Sequence, residues 1–121
     1  MHETDMTKAL MMTVKDWWAS QPQPPQITAI HLTVGQFTCV EPASLQFAFA
    51  AQSRNTFLQG AQLQIHEVPL VAFCHPCQDT YYPQVGLRYS CPRCSAPMED
   101  IRSGRELKID RIECAVPSGQ P

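Results

Sequence analysis

Apolar and small residues recur at helical spacing near the start of the chain. Met6, Ala9, Leu10, Thr13, Val14 and Trp17 fall on one stripe, with Lys8, Lys15 and Asp16 largely off it. A period of three to four residues predicts an amphipathic helix over 5–19. Ser20 to Pro25 ends it, because three prolines cannot continue a helix. The period then falls to two. Over 27–34, Ile30, Leu32 and Val34 alternate with Ala29, His31 and Thr33, which predicts a strand with one buried face and His31 on the other. Glu41-Pro42 opens a second helix, since proline suits the first helical position. Its stripe is Leu45, Ala48, Phe49 and Gln52, widened by Phe47 and Ala51, and Asn55 to Gly60 reads as a loop. Alternation returns over 61–68, with Leu63 and Ile65 on one face, and Pro69 closes it. A last strand spans 106–114, where the step from Ile109 to Ile112 breaks phase and predicts a bulge.

This order predicts an α+β fold: two helices packed on a three-stranded sheet, with a zinc-ribbon-like four-cysteine lobe inserted before the last strand. The expected division is 1–70 plus 103–116 for the α+β domain and 71–102 for the lobe.

The lobe is defined by two Cys-x-x-Cys pairs, Cys74-His75-Pro76-Cys77 and Cys91-Pro92-Arg93-Cys94, with thirteen residues between them. Four thiolates at this spacing can close a tetrahedral shell around one Zn(II), and such a shell has no open position for water. Pro76 and Pro92 favour the tight bend of each knuckle. The alternative is two disulfides, which require an oxidising compartment. Residues 1–20 show no charged segment followed by an unbroken apolar run, so the expectation is a cytoplasmic protein with reduced cysteines. Cys39 and Cys114 lie outside the knuckles and read as small buried apolar residues. His75 reads as a neighbour of the metal shell, which four cysteines already fill.

Composition narrows the function. Nine basic and eleven acidic side chains give a net charge of −2, and Arg102, Arg105, Lys108 and Arg111 are interleaved with Glu106, Asp110 and Glu113. A nucleic-acid binder needs a clustered basic face, so a DNA- or RNA-binding zinc ribbon is disfavoured and no nucleic-acid partner is expected. A zinc enzyme needs an open zinc position, which four cysteines deny. No apolar run reaches membrane-spanning length, so no membrane partner is expected.

The first three residues, Met1-His2-Glu3, suggest a second metal site. An α-amine, the His2 amide nitrogen and the imidazole can wrap one metal in fused chelate rings, with the Glu3 amide as a fourth donor. A tetragonal nitrogen set suits Ni(II) or Cu(II). The Glu3 carboxylate could join a larger shell or hydrogen-bond a ligand. On the residues alone the signal is weak, because many chains begin Met-His by chance, and a frayed terminus is the ordinary reading.

The chain resembles the HypA/HybF family, the nickel metallochaperones of NiFe-hydrogenase maturation. The resemblance spans nearly its whole length. It is carried by Met1-His2-Glu3, Leu32-Thr33-Val34-Gly35, Cys39-Val40-Glu41-Pro42 with Leu45, Phe47 and Phe49, Gly60-Ala61, Glu67-Val68-Pro69, both knuckles, and Ser103-Gly104-Arg105-Glu106-Leu107 with Ile112-Glu113. It implies transferable Ni(II) bound through His2, with Met1 and Glu3 taking part, and structural Zn(II) at Cys74, Cys77, Cys91 and Cys94. It also implies delivery of nickel to a hydrogenase large-subunit precursor with the help of a HypB-type GTPase; urease is the alternative client. Some members place an acidic residue where this chain has Val40, and a histidine where it has Met98. Glu41, the nearest carboxylate, reads as the cap of the second helix. The protein is expected to be a binding and transfer protein, not an enzyme, and a monomer or a domain-swapped dimer.

Overall fold

The computed structural model describes residues 2–115, with His2 described by its backbone only. The order of elements is α1 (His2–Ala19), β1 (Ile27–Gly35), a 3-10 turn (Gln36–Thr38), α2 (Pro42–Gln52), β2 (Gln62–Val68), β3 (Val71–Cys74), β4 (Asp79–Tyr81), β5 (Asp100–Ser103) and β6 (Leu107–Cys114). β1 is central in a three-stranded sheet ordered β2-β1-β6, and β3 is central in a second sheet ordered β4-β3-β5. The α+β fold with an inserted four-cysteine lobe is therefore present, and the lobe carries a sheet of its own. The chain divides into two compact units. One comprises 1–32, 41–65 and 109–121; the other comprises 33–40 and 66–108.

In the first unit α1 packs against α2. The helix starts at His2, three residues earlier than the apolar stripe predicts, and its buried face is rotated from the expected one. Thr7 and Val14 are buried and Leu10, Met11 and Trp18 are partly covered, whereas Ala9, Thr13 and Trp17 face solvent. A threonine can occupy the buried stripe because its hydroxyl donates to the Glu3 carbonyl one turn back, at 2.8 Å, leaving no unpaired polar atom. Trp18, not Trp17, turns inward: its indole N–H donates to the Pro25 carbonyl at 2.6 Å, and its ring meets Phe57 at 4.8 Å. The proline-rich stop thus supplies the partner that fixes the helix's phase.

α2 follows the sequence closely. Glu41 is its N-cap, accepting from the Ser44 amide at 3.0 Å, and Leu45, Ala48 and Phe49 are its buried face. Phe47 points outward and is 77% exposed. The Gln46 side-chain amide donates to the Leu63 carbonyl at 2.6 Å, tying α2 to β2. The expected loop 55–60 contributes Leu58, which is fully buried. β1 is covered on both faces along most of its length, so the expected exposed face exists only at Thr28 and in part at His31. His31 is paired with Glu113, which is also bonded by Arg111. Cys39 and Cys114, expected to be buried, are exposed. Cys39 ends the 3-10 turn in a left-handed conformation at φ 60°, and Cys114 closes β6, where burial is sparse.

In the second unit the segment after β1 runs along the turn before β6. The Gly35 amide donates to the Glu106 carbonyl at 2.6 Å and the Phe37 amide to the Gly104 carbonyl at 2.8 Å. The Gln36 side-chain oxygen accepts from the Leu70 amide at 2.8 Å. Backbones this close leave no room for side chains. A Cβ on Gly35 would overlap the Gly104 carbonyl, and one on Gly104, at φ +112°, would lie 2.6 Å from the Leu70 Cα. Gly60 also has positive φ, at +85°, but nothing stands within 4 Å of its missing Cβ. Gly35→Ala is expected to lower unfolding free energy by about 3 kcal/mol or more, since backbone must move. Gly60→Ala should cost only about 1 kcal/mol, the left-handed penalty alone. Denaturant unfolding of the two variants checks the contrast.

Candidate metal centres

The inserted lobe is built around its cysteines. Ala72, Cys74, Tyr81 and Cys91 form its buried core, and Cys77, Ala96 and Met98 pack against it. β3 delivers Cys74 at its C-terminal end, where the strand pairs with β4 through Cys74 and Asp79 and with β5 through Phe73 and Asp100. The two knuckles close with different backbone bonds but the same left-handed residue. The Gln78 amide donates to the His75 carbonyl at 3.2 Å and the Ser95 amide to the Cys91 carbonyl at 2.9 Å. The residue after each second cysteine turns left-handed, at φ 53° for Gln78 and φ 64° for Ser95. The Cys91 amide donates to the Ala96 carbonyl, completing the second knuckle.

The four sulfurs lie within 4.8 Å of one another. Cys74 Sγ is 3.5 Å from Cys94 Sγ, and Cys77 Sγ is 3.9 Å from Cys91 Sγ. A tetrahedral zinc with sulfurs at about 2.3 Å has an S–S edge of about 3.8 Å, so the four donors are already at the spacing of a closed shell. All six cysteines are free thiols. Protonation differs among them. A hydrogen bond with the Cys94 sulfur, then burial, pushes Cys77 up to about 12. For Cys74 the Cys77 backbone N–H pulls downward, but burial and the neighbouring sulfurs outweigh it and the thiol is raised. The backbone N–H groups of Cys94 and Arg93 draw Cys91 down to about 7. Knuckle amides aimed at sulfur stabilise a thiolate there, while crowding by other sulfurs disfavours a second negative charge. A divalent cation would resolve that conflict.

Charged groups surround the set. His75 Nε2 lies 2.8 Å from Asp100 Oδ2, and Asp100 is also bonded by Arg102 at 2.9 and 3.0 Å. The Arg102 guanidinium stands 4.3 Å above the Phe73 ring. His75 is thus turned to Asp100 and Phe73, outside the four-sulfur set, as its place inside a filled knuckle suggested.

At the other end, His2 opens α1 by its backbone, while Met1 and the His2 side chain lie outside the described residues. Glu3 is placed: one carboxylate oxygen accepts from the Glu41 amide at 3.2 Å. The Gln52 amide donates to the Thr4 carbonyl at 3.2 Å, so both ends of α2 fasten the first turn of α1. The Glu41 carboxylate is occupied by the Ser44 amide and hydroxyl. Sequence reasoning missed the Glu3–Glu41 contact because thirty-eight residues separate its ends and no motif marks it.

Arg102 first, then His75, holds Asp100 down at about 2. A folded value below the ordinary carboxylate value near ~3.9 means the ionised form is favoured by folding. The stabilisation is complete above about pH 4 and is lost as pH falls toward 2. Carbon-detected NMR titration should find Asp100 ionised down to about pH 2, with the midpoint rising toward the ordinary value in Arg102→Gln.

The family model described as a hydrogenase/urease nickel-incorporation metallochaperone, HypA, matches residues 1–114. The Hydrogenase maturation factor HypA of Synechococcus sp. (strain JA-2-3B'a(2-13)) is 68% identical over 113 residues, which span 93% of this chain and 86% of that protein. The Guanidine hydrolase-activating protein A of Synechocystis sp. (strain ATCC 27184 / PCC 6803 / Kazusa) is 70% identical over 113 residues, 93% of this chain and 94% of that protein. The solution structure of the Ni metallochaperone HypA from Helicobacter pylori aligns with a TM-score of 0.60 at 16% identity, covering 95% of this chain and 98% of that one; it shares the fold. With four converging sulfurs, the α+β fold and a match from residue 1 to residue 114, the chain belongs to the HypA family of hydrogenase-maturation nickel metallochaperones, which are not enzymes.

Proposed function

We propose that this chain binds Ni(II) through Met1, His2 and Glu3 and delivers it to a nickel enzyme precursor, while Cys74, Cys77, Cys91 and Cys94 hold one structural Zn(II). The observation that carries this reading is the closed sulfur set: four donors at tetrahedral spacing leave no position for exchange, so the cargo metal belongs elsewhere. Zinc there would supply folding energy to a lobe whose core is largely its own ligands.

The start of α1 suits a releasable metal. The first amide groups of a helix have no intrahelical acceptor, so those of His2 and Glu3 are available as donors after losing a proton. The helix's positive end opposes a cation, and the Glu3 and Asp5 carboxylates in the first turn offset it. Each nitrogen donor binds protons in competition with metal, so nickel affinity falls as pH falls. The Glu41 carboxylate caps α2, which favours its exclusion from the nickel shell. Glu3, fastened to the Glu41 amide, positions the terminus and acts on nickel through its amide or as a hydrogen-bond partner.

The client is a hydrogenase large-subunit precursor, reached with a HypB-type GTPase in the reducing cytoplasm. Among the described residues no helix is long and apolar enough to cross a membrane. The 70%-identical relative favours a second reading, in which the client is a guanidine hydrolase. Nickel content of each client, co-produced with and without this chain, separates the two. The metal assignment is tested on untagged protein: His2→Ala should lose nickel binding and keep one zinc per chain. Stoichiometric nickel in that variant contradicts the site.

A further inference from the structure

The two knuckles are joined by more than the metal they are built to share. Asp79 follows the first knuckle and pairs with β3 opposite Cys74, and Arg93 lies inside the second. Arg93 Nη2 donates to Asp79 Oδ2 at 2.8 Å. The other oxygen of Asp79 accepts from the Thr80 amide at 2.8 Å, so the carboxylate is held in place before the arginine reaches it. A cavity of about 110 Å³ is lined by Cys74, Cys77 and Cys91 together with Asp79, Pro92 and Arg93. The Asp79 and Arg93 side chains are 52% and 65% exposed and flank the cavity on the Cys74, Cys77 and Cys91 side, whereas Cys94 is exposed and does not line it. The guanidinium is attracted to Asp79 first and also to the charges of Cys77 and Cys91.

We propose that the Asp79–Arg93 ion pair is a gate over the Cys74, Cys77 and Cys91 side of the four-cysteine site, slowing the approach of a competing ligand to the bound metal from that side. This rests on the zinc reading above. A tetrathiolate shell around Zn(II) carries a net charge of −2, and its sulfurs remain nucleophilic toward any group that can approach them. An arginine spanning the knuckles blocks the approach sterically and lowers the charge felt at Cys77 and Cys91. Its exposed position sets the scale. A surface ion pair adds little to fold stability and is screened by salt, so it acts on exchange rate and not on whether the lobe folds. A carrier that handles one metal at its first residues gains from keeping a second one out of exchange. Asp79 and Arg93 are positioning residues in this scheme, and neither is a ligand.

The test measures zinc content and then the rate of zinc transfer to a neutral pyridyl chelator, which avoids attraction between Arg93 and an anionic one. Wild type, Asp79→Asn, Arg93→Gln and the double variant should each hold one zinc and show the same far-UV circular dichroism. Each single variant should release zinc about two- to fivefold faster, the range an exposed ion pair can supply. The double variant should be no faster than the singles, and added salt should speed the wild type toward them while leaving the variants unchanged. Equal rates in all four proteins, a double variant that multiplies the single effects, or a wild-type rate insensitive to salt overturns the gate. A wild-type protein without zinc overturns the zinc reading instead, and the gate with it.

Discussion

Four sulfurs held within 4.8 Å of one another are the constraint on which the second unit depends. The cluster around them is small: two of its four buried residues are cysteines, and a third cysteine packs beside them. Such a core is too small to stabilise thirty or forty residues alone. The backbone is shaped to bring the sulfurs together, through two left-handed turns and two strand pairings of β3, one ending at Cys74 and the other at Phe73. Without a cation the four sulfurs do not all ionise: a hydrogen bond with Cys94 and burial push Cys77 up to about 12, while knuckle N–H groups draw Cys91 down to about 7. A closed zinc shell would let all four be thiolates, and its closure would make it unsuited to transfer.

That division of labour explains why the first unit looks different. Its core is conventional, with Val14, Ile27, Ile30, Leu45 and Leu58 fully buried. Its distinctive polar contacts gather at the start of α1, where Glu3 and Thr4 are fastened to the two ends of α2. These bonds fix the first turn of α1 at Glu3 and Thr4. In the proposed nickel site, binding strength would come from nitrogen donors that also bind protons, so the same groups would provide both grip and release.

Much of this was legible in the sequence because the informative features are local. The knuckles carry their own spacing, Glu41-Pro42 announces a helix start, and the alternation of β1 and β2 fixes their central residues. What was not legible depends on partners distant in the chain. The phase of α1 is decided by Trp18 meeting Pro25 and Phe57, and the adjacent Trp17 is indistinguishable from it by periodicity alone. Thr7 is buried through a backbone bond that no hydropathy pattern reveals. Cys39 and Cys114 looked apolar by their neighbours, yet one ends a turn and the other closes a sparsely covered strand. The Asp79–Arg93 pair and the Glu3–Glu41 contact span fourteen and thirty-eight residues. Family likeness is what points to Met1-His2-Glu3 as the proposed nickel site, which composition and spacing left ambiguous.

The central claim is that cargo and scaffold metals occupy chemically different sites in one small chain. X-ray absorption at the nickel and zinc edges of the doubly loaded, untagged protein tests it most directly. The account predicts four sulfur neighbours at about 2.3 Å around zinc, and only nitrogen and oxygen around nickel. Sulfur in the nickel shell, or a water completing the zinc shell, would contradict it.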